Sequence, residues 1–307
     1  RITMLSRPIV REVIERNPVI DDVILFDYKA KQNSMGRMWA MVRELRARKF
    51  DLAISFDRKL RPALLCLFAG IPVRVGPSRV FEDKPSRVTW LYTHTVPIAH
   101  DLENTLQAET YQEIIRGFTG AQGHGRPVLP APSTAECAKA ATILSSAGTR
   151  HKIGLCVKGT FGLKTWPKAY FAEVVRALHA RYDAAFYLTG APGDYAYAEE
   201  VIDAIGLPVE NLCGKTNLME LAALYAQLDL LVTVDTGGAH IAAVTGVPMV
   251  VMFGCTSPRR WHPISEHARA FTSNEPCCPC TYRETECPSY PQPNCLYHVL
   301  PAVVTEA

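Results

Sequence analysis

The run Leu230-Leu231-Val232-Thr233-Val234-Asp235-Thr236-Gly237-Gly238-Ala239-His240-Ile241-Ala242-Ala243 decides how this chain is read. Its first five residues are mostly apolar and rich in β-branched side chains, the composition of a strand buried on both faces of a parallel sheet. The run then meets an acidic residue, a hydroxyl and two glycines, and turns helical through Ala239 to Val244. After Gly246-Val247-Pro248 a second apolar run, Met249–Phe253, ends at Gly254. Strand, loop, helix and strand make a compact unit whose loop lies at the carboxyl end of a parallel strand, where open α/β sheets take their ligands. Gly237 and Gly238 permit close approach of a ligand, and the helix start offers unpaired N–H groups to an anion. An ordinary tight turn would account for two glycines alone; the whole Asp-Thr-Gly-Gly-Ala-His string asks for more.

Outward from this unit the same alternation continues. Residues 153–157 and 184–189 read as strands and 168–182 and 194–205 as helices, and Asn217, three before Glu220, caps a helix over 218–227. Ser133 and Glu136 make a capping box for a helix to Ser146. In the first half, 1–6, 22–26, 52–56 and 88–96 read as strands, and 8–16, 34–49, 58–69 and 100–116 as helices. Met35, Met38, Met41, Val42 and Leu45 share one face of the 34–49 helix. Residues 117–132 hold four glycines and three prolines and read as a linker. Two α/β domains with parallel sheets are the expectation, 1–130 (with the linker 117–132) and 131–307.

The 307 residues carry 33 Lys+Arg against 30 Asp+Glu, a net charge of +3 that does not point to nucleic acid. With 48% hydrophobic and 21% charged residues the composition is that of a folded globular protein. No apolar run reaches the roughly 20 residues that span a bilayer. Residues 1–130 hold 20 Lys+Arg against 14 Asp+Glu, a basic balance that suits an anionic partner or merely a solvated surface. Of ten cysteines, Cys66, Cys137, Cys156, Cys213 and Cys255 lie singly in apolar or helical stretches, as reduced core residues of a cytoplasmic protein do.

Two loops carry the chemistry. Lys158-Gly159-Thr160-Phe161-Gly162-Leu163-Lys164-Thr165-Trp166-Pro167 follows the first strand of the second domain. Its glycines, hydroxyls and lysines suit a phosphate chain, although the P-loop spacing is absent. Lys158 has a solvated reading and Trp166 a packed one. In the second loop, Asp235 can accept from a sugar hydroxyl, while Thr236 and the Gly237 and Gly238 amides can hold a diphosphate. His240 can cap a phosphate, bond to Asp235 or serve structure alone. No Gly-x-Gly-x-x-Gly follows a strand, which argues against a nicotinamide dehydrogenase.

Taken together, Lys164-Thr165-Trp166-Pro167, the string from Asp235 to Ala243, Gly246-Val247-Pro248, Phe253-Gly254 and Thr256-Ser257-Pro258 resemble the heptosyltransferase family, glycosyltransferase family 9. The first half is similar too, in Asn17-Pro18, Ile20 to Ile24, Phe50 to Ile54, Ala69-Gly70-Ile71-Pro72 and Arg74-Val75-Gly76. The resemblance implies two Rossmann-like domains in the GT-B arrangement. It also implies inverting transfer of a heptose or related sugar from a nucleotide-diphosphate donor, an ADP-sugar, to a lipopolysaccharide core or similar glycan, with no cofactor required. Thr160, Lys164, Asp235, Thr236, Gly237 and His240 would hold the donor, joined by Asp194, where the family often has an acidic residue, and by Thr216. The partners implied are the nucleotide sugar and an anionic glycolipid, not nucleic acid. The expected location is the cytoplasm, with peripheral contact to the inner membrane.

One departure concerns the base that removes the acceptor proton. The family usually opens with a strand and a Gly-Asp loop, and this chain reads as starting at the second strand of its first domain. Asp57 is the fallback, with a helix N-cap as its other role. Arg58, Lys59, Arg61, Arg74 and Arg79 cluster near strand ends of that domain and can grip acceptor phosphates or carboxylates, or simply be solvated. Finally, Cys277-Cys278-Pro279-Cys280 with Cys287 and Cys295 gathers five thiols in one stretch. Cys277, Cys280, Cys287 and Cys295 can hold a metal or form disulfides; the alternative is a proline-rich loop of reduced thiols. Two rivals stay open: a GT-B enzyme acting on another nucleotide sugar, as a transferase or epimerase, and a non-catalytic nucleotide-sugar-binding protein. Truncating Lys164 to alanine is expected to weaken diphosphate binding and leave the fold intact.

Overall fold

The computed structural model describes residues 1–27, 35–56, 59–79, 87–101, 104–123, 126–280, 287, 289 and 292–306. The chain forms two compact units, one of Arg1–Glu15 and Val19–Arg126, the other of Arg16–Pro18 and Pro127–Ala307.

In the first unit the order is β1 (Thr3–Ser6), α1 (Arg11–Glu15), β2 (Asp22–Leu25), α2 (Met35–Ala47), β3 (Leu52–Ile54), α3 (Leu60–Phe68), β4 (Val73–Pro77), β5 (His94–Val96) and α4 (Gln107–Thr119). Its described strands form a parallel pair, β1-β2, and a parallel triple, β3-β4-β5. Met41, Val42 and Leu45 of α2 pack with Ile24, Leu65 and Ile71, but Met35 is 76% exposed. The amphipathic face of α2 therefore begins later than its methionines suggest. Three expectations are corrected. The expected strand over 88–96 is half a 3₁₀ turn, Thr89–Leu91, because Leu91 and Tyr92 fold back onto α3; only 94–96 pair with β4. The helix expected from residue 100 starts at Gln107 and runs to Thr119, ending on a left-handed Gly120. Gly117 is thus no linker residue but a close-packing one, since a Cβ there would lie 2.5 Å from Val96.

The second unit continues with α5 (Thr134–Leu144), β6 (His151–Cys156), α6 (Lys168–Arg181), β7 (Ala184–Leu188), α7 (Tyr195–Ile205), β8 (Val209–Asn211), α8 (Leu218–Tyr225), β9 (Leu230–Val234), α9 (Gly237–Thr245), β10 (Met249–Phe253), α10 (Pro258–Trp261), β11 (Ala268–Thr272), α11 (Asn294–Tyr297) and α12 (Pro301–Thr305). Both capping boxes form: Ser133 Oγ accepts from Glu136 N and Asn217 Oδ1 from Glu220 N, and each glutamate accepts from the cap's own N–H. All six strands are parallel, in the order β11-β10-β9-β6-β7-β8.

Alternate residues of each strand divide between two cores. Ile153, Leu155, Phe186, Val232 and Met252 meet α6, α7 and the C-terminal helices, whereas Tyr187, Leu231 and Val251 meet α5, α8 and α9. Burial on both faces is why these strands read as unbroken apolar runs. Chain order reverses between β6 and β9: β7 and β8 lie to one side, β10 and β11 to the other. That switch point is where the two neighbouring loops splay apart and leave a crevice. Among the described residues no helix is long and apolar enough to cross a membrane.

Candidate functional site

The loop after β6 and the loop after β9 meet at the switch point through a single ion pair. Lys164 Nζ lies 2.6 Å from Asp235 Oδ2, with the two side chains 16% and 6% exposed. The lysine gets there by a 3₁₀ turn, Gly162–Lys164, whose Leu163 is buried and anchors it. Gly159 is required beneath it: a Cβ there would sit 2.4 Å from Lys164 Cβ and 2.6 Å from its carbonyl oxygen. Asp235 follows directly on β9, and its amide donates to Met252 O at 3.1 Å, which fixes the aspartate at the sheet's edge.

A third group completes this cluster. Thr256, from the loop after β10, donates its hydroxyl to Asp235 Oδ2 at 2.5 Å and is itself buried. It stands in the Thr256-Ser257-Pro258 triplet, but a threonine three residues past a strand carries no signal of its role by itself. His240, on the first turns of α9, faces the same charges. Its outer surface is open to solvent, yet its ring is crowded enough that desolvation lowers its pKa. Asp235 pulls the value up, while Lys164 and His262 push it down. His240 is thereby held neutral near pH 7, able to give or take one hydrogen bond.

The two glycines of the organising stretch do different work. A Cβ on Gly237 would meet nothing within 4 Å, whereas one on Gly238 would lie 3.2 Å from the buried Tyr225 hydroxyl. Gly237 therefore keeps the start of α9 open toward solvent, and Gly238 lets α9 settle on α8. Thr236 is the N-cap residue of α9, extended at φ −148° and half-buried, and its side chain makes no capping hydrogen bond. The N–H groups of the first turn of α9 face this side of the sheet.

A second lysine–aspartate pair stands one strand away. Lys158 Nζ lies 3.1 Å from Asp194 Oδ1, the side chains being 37% and 27% exposed. Asp194 also accepts from the Ala191 amide at 3.0 Å, closing the turn after β7. Lys158 is thus paired rather than merely solvated. Thr216 is half-buried in the loop after β8, which Gly214 ties to Gly190 by a 3.0 Å backbone bond. Thr160 is exposed on the β6 loop. Every residue expected to hold the donor therefore lies on a loop or at the start of α9, at the carboxyl edge of one sheet. Lys164, Asp235 and His240 are brought together, and Lys158 and Asp194 form a neighbouring pair. Trp166 is fully buried, its indole N–H donating to Val299 O at 3.0 Å, so it is a packing residue.

The first unit assembles less. Asp57 and Arg58 lie outside the described residues. Lys59 is exposed at the start of α3 and Arg61 half-buried on its first turn. Arg79 donates to Ile98 O at 3.0 Å, and Arg74 spends its guanidinium on Ile71 O and Leu91 O at 2.6 and 3.0 Å. Arg74 is a backbone clamp.

Among the scattered cysteines, burial raises the Cys156 thiol to about 11 and the Cys213 thiol to about 12, so both stay protonated and inert. Cys137 departs from expectation: it sits exposed on α5. Among the described residues no three His, Cys, Asp or Glu side chains are already arranged to hold a metal ion.

The profile of Glycosyltransferase family 9 (heptosyltransferase) matches residues 38–290. Lipopolysaccharide heptosyltransferase 2 of Escherichia coli (strain K12) is 26% identical over 278 residues, covering 84% of this chain and 75% of its own. Lipooligosaccharide heptosyltransferase 2 of Haemophilus influenzae is 28% identical over 256 residues, covering 76% and 68%. In three dimensions the chain is similar to the E. coli ADP-heptose LPS heptosyltransferase II, with a TM-score of 0.72 and 22% identity over 99% of this chain and 87% of that one. The last likeness shows the fold, two Rossmann-like units of the GT-B class.

Proposed function

We propose that this chain, which belongs to glycosyltransferase family 9, the heptosyltransferases, transfers a heptose or related sugar from an ADP-linked donor to a lipopolysaccharide core or similar glycan, with inversion. As a member of that family it is a glycosyltransferase. The donor, the stereochemistry and the acceptor are our reading. The observation that carries it is the Lys164–Asp235–Thr256 cluster at the switch point, with neutral His240 beside it.

A leaving diphosphate develops negative charge as the glycosidic bond breaks, and stabilising that charge is the largest service such a site can give. Lys164 supplies a cation already oriented by Asp235, and the first turn of α9 supplies N–H dipoles. Asp235 holds the ammonium in place and, with His240, is positioned to accept from or donate to hydroxyls of the sugar. Asp194 and Thr216, on the β7 and β8 loops, would face the nucleoside end. Lys59, Arg61 and Arg79, with Arg58, would receive the anionic acceptor, and Asp57 would take the proton from its hydroxyl. The reaction needs no cofactor in this scheme, and the acceptor places the work at the cytoplasmic face of the inner membrane.

The test is calorimetric titration of the chain with ADP, UDP and GDP, repeated on Asp235→Asn. ADP-selective binding that weakens roughly tenfold in the variant supports the reading. Equal binding of all three nucleotides, or none, overturns the donor assignment. Transfer is then read by mass spectrometry with ADP-heptose and a heptose-deficient lipopolysaccharide, and by NMR of the product's anomeric configuration. ADP binding without transfer would favour the non-catalytic reading.

A further inference from the structure

Cys277, Cys278, Cys280, Cys287 and Cys295 lie against Leu163 of the loop after β6, and their sulfurs end up together. Cys255, Cys277, Cys278, Cys280, Cys287 and Cys295 line one cavity of about 230 Å³, and among the described residues no Lys, Arg, His, Asp or Glu lines it with them. Packing alone gives no reason for this. Alanine or leucine would fill an apolar cavity at least as well, and a thiol is a weak partner for hydrogen bonds. Three of these cysteines are also pinned. Cys280 N donates to Cys255 O at 2.8 Å, Cys278 Sγ donates to Gly254 O at 2.8 Å, and Cys295 is buried on the first turn of α11.

We infer that Cys278, Cys280, Cys287 and Cys295 are the ligands of one thiophilic metal ion, zinc or ferrous iron, held for structure behind the donor loop. Four sulfurs are the complement such an ion takes in a closed tetrahedral site, with no position left for water. Relative to the set read from spacing, Cys278 replaces Cys277, because Cys277 is exposed and Cys278 points back to the Gly254 carbonyl. The thiols share the cavity without yet converging on one point; binding draws them together and releases their protons to solvent. The site would brace the glycosyl-transfer machinery from behind. Leu163 lines the same cavity, its carbonyl oxygen would stand 2.4 Å from a Cβ on Gly254, and the next residue is Lys164.

The inference does not rest on the donor being an ADP-sugar, and its test needs no substrate. Elemental analysis of the full chain, purified without chelator, should find about one equivalent of zinc or iron. Mercurial modification of the thiols should release it. Cys278→Ser and Cys295→Ser should each lower the content roughly tenfold or more, while Cys137→Ser and Cys277→Ser keep it. Should the ligand variants fail to fold, Co²⁺ titration of the demetallated wild-type chain replaces them, read by thiolate-to-cobalt charge-transfer bands. Metal below about a tenth of an equivalent with no cobalt–thiolate bands overturns the proposal. So does a Cys278–Cys295 disulfide found by mass spectrometry in the freshly purified protein.

Discussion

The second unit holds two lysine–aspartate pairs made from the same chemistry, and they are not equivalent. Lys164–Asp235 is nearly sealed at 2.6 Å, whereas Lys158–Asp194 stands at 3.1 Å with more than a third of its lysine exposed. An exposed pair gains little, because water screens it and two long side chains must be held still. In a buried pair the two charges depend on each other: either one alone would be an uncompensated ion out of water. Beyond the diphosphate role we propose for it, Lys164 is the counter-charge of a buried carboxylate. The expectation that Lys164→Ala spares the fold is revised on that ground.

The largest effect should therefore come from Lys164→Ala. Urea unfolding should show a loss of roughly 3 kcal/mol, the low end for breaking a buried pair, since the lysine keeps some solvent. The same measurement on Lys158→Ala should show less than about 1 kcal/mol. Equal losses would erase the distinction between the pairs. A double-mutant cycle sharpens it: coupling of Lys164 with Asp235 should exceed about 1 kcal/mol, and that of Lys158 with Asp194 should not.

Next in size is a contrast between glycines. Gly254→Ala forces a methyl against the Leu163 carbonyl, with Leu296 Cγ 2.8 Å away on the other side, and should cost about 1–3 kcal/mol. Gly237→Ala meets open space and should melt as the wild type does; only its ADP affinity should fall, because the methyl stands where the ligand would approach. Unchanged ADP affinity would remove Gly237 from the site.

The smallest effect is a pH dependence. A histidine whose pKa is lowered in the folded state binds its proton more readily when unfolded. Protonation then pulls the equilibrium toward unfolding, so the contribution of His240 is present above its ordinary value near 6.5 and is lost as pH falls below it. Replacing His240 with Gln should flatten the stability profile between about pH 5 and 7. A steeper profile in the variant would mean that the Asp235 attraction wins over desolvation.

Much of this site is legible in the linear chain. Val232 and Val234 mark a doubly buried strand by composition, and Asp235 to Gly238 mark its end by turn chemistry. Ser133 with Glu136 and Asn217 with Glu220 announce helix starts at the residues where the capping boxes form. What escaped reading was non-local. Thr256 looks like any polar residue after a strand until Asp235 is seen 2.5 Å away. Val88 to Val96 has strand composition, yet contact with α3 bends its first half into a turn. β11 was not foreseen because Ala268–Thr272 carries Arg269 and no unbroken apolar run; it pairs along one edge only, with β10. Cys137 has the composition of a core position and lies on the wrong side of α5.

The alternation of strand and helix, the capped helix starts and the loops rich in glycine, hydroxyl and lysine are written locally along the chain. Each of these is set by neighbours within a few residues, through periodicity, caps and backbone freedom. The placement of β9 beside β6, with the sheet's order reversing between them, is settled by packing across the whole unit. Strand order is chosen by which apolar faces can be buried together across the whole domain, and no local pattern encodes that choice. Through it a lysine and an aspartate 71 residues apart come to share one largely buried bond.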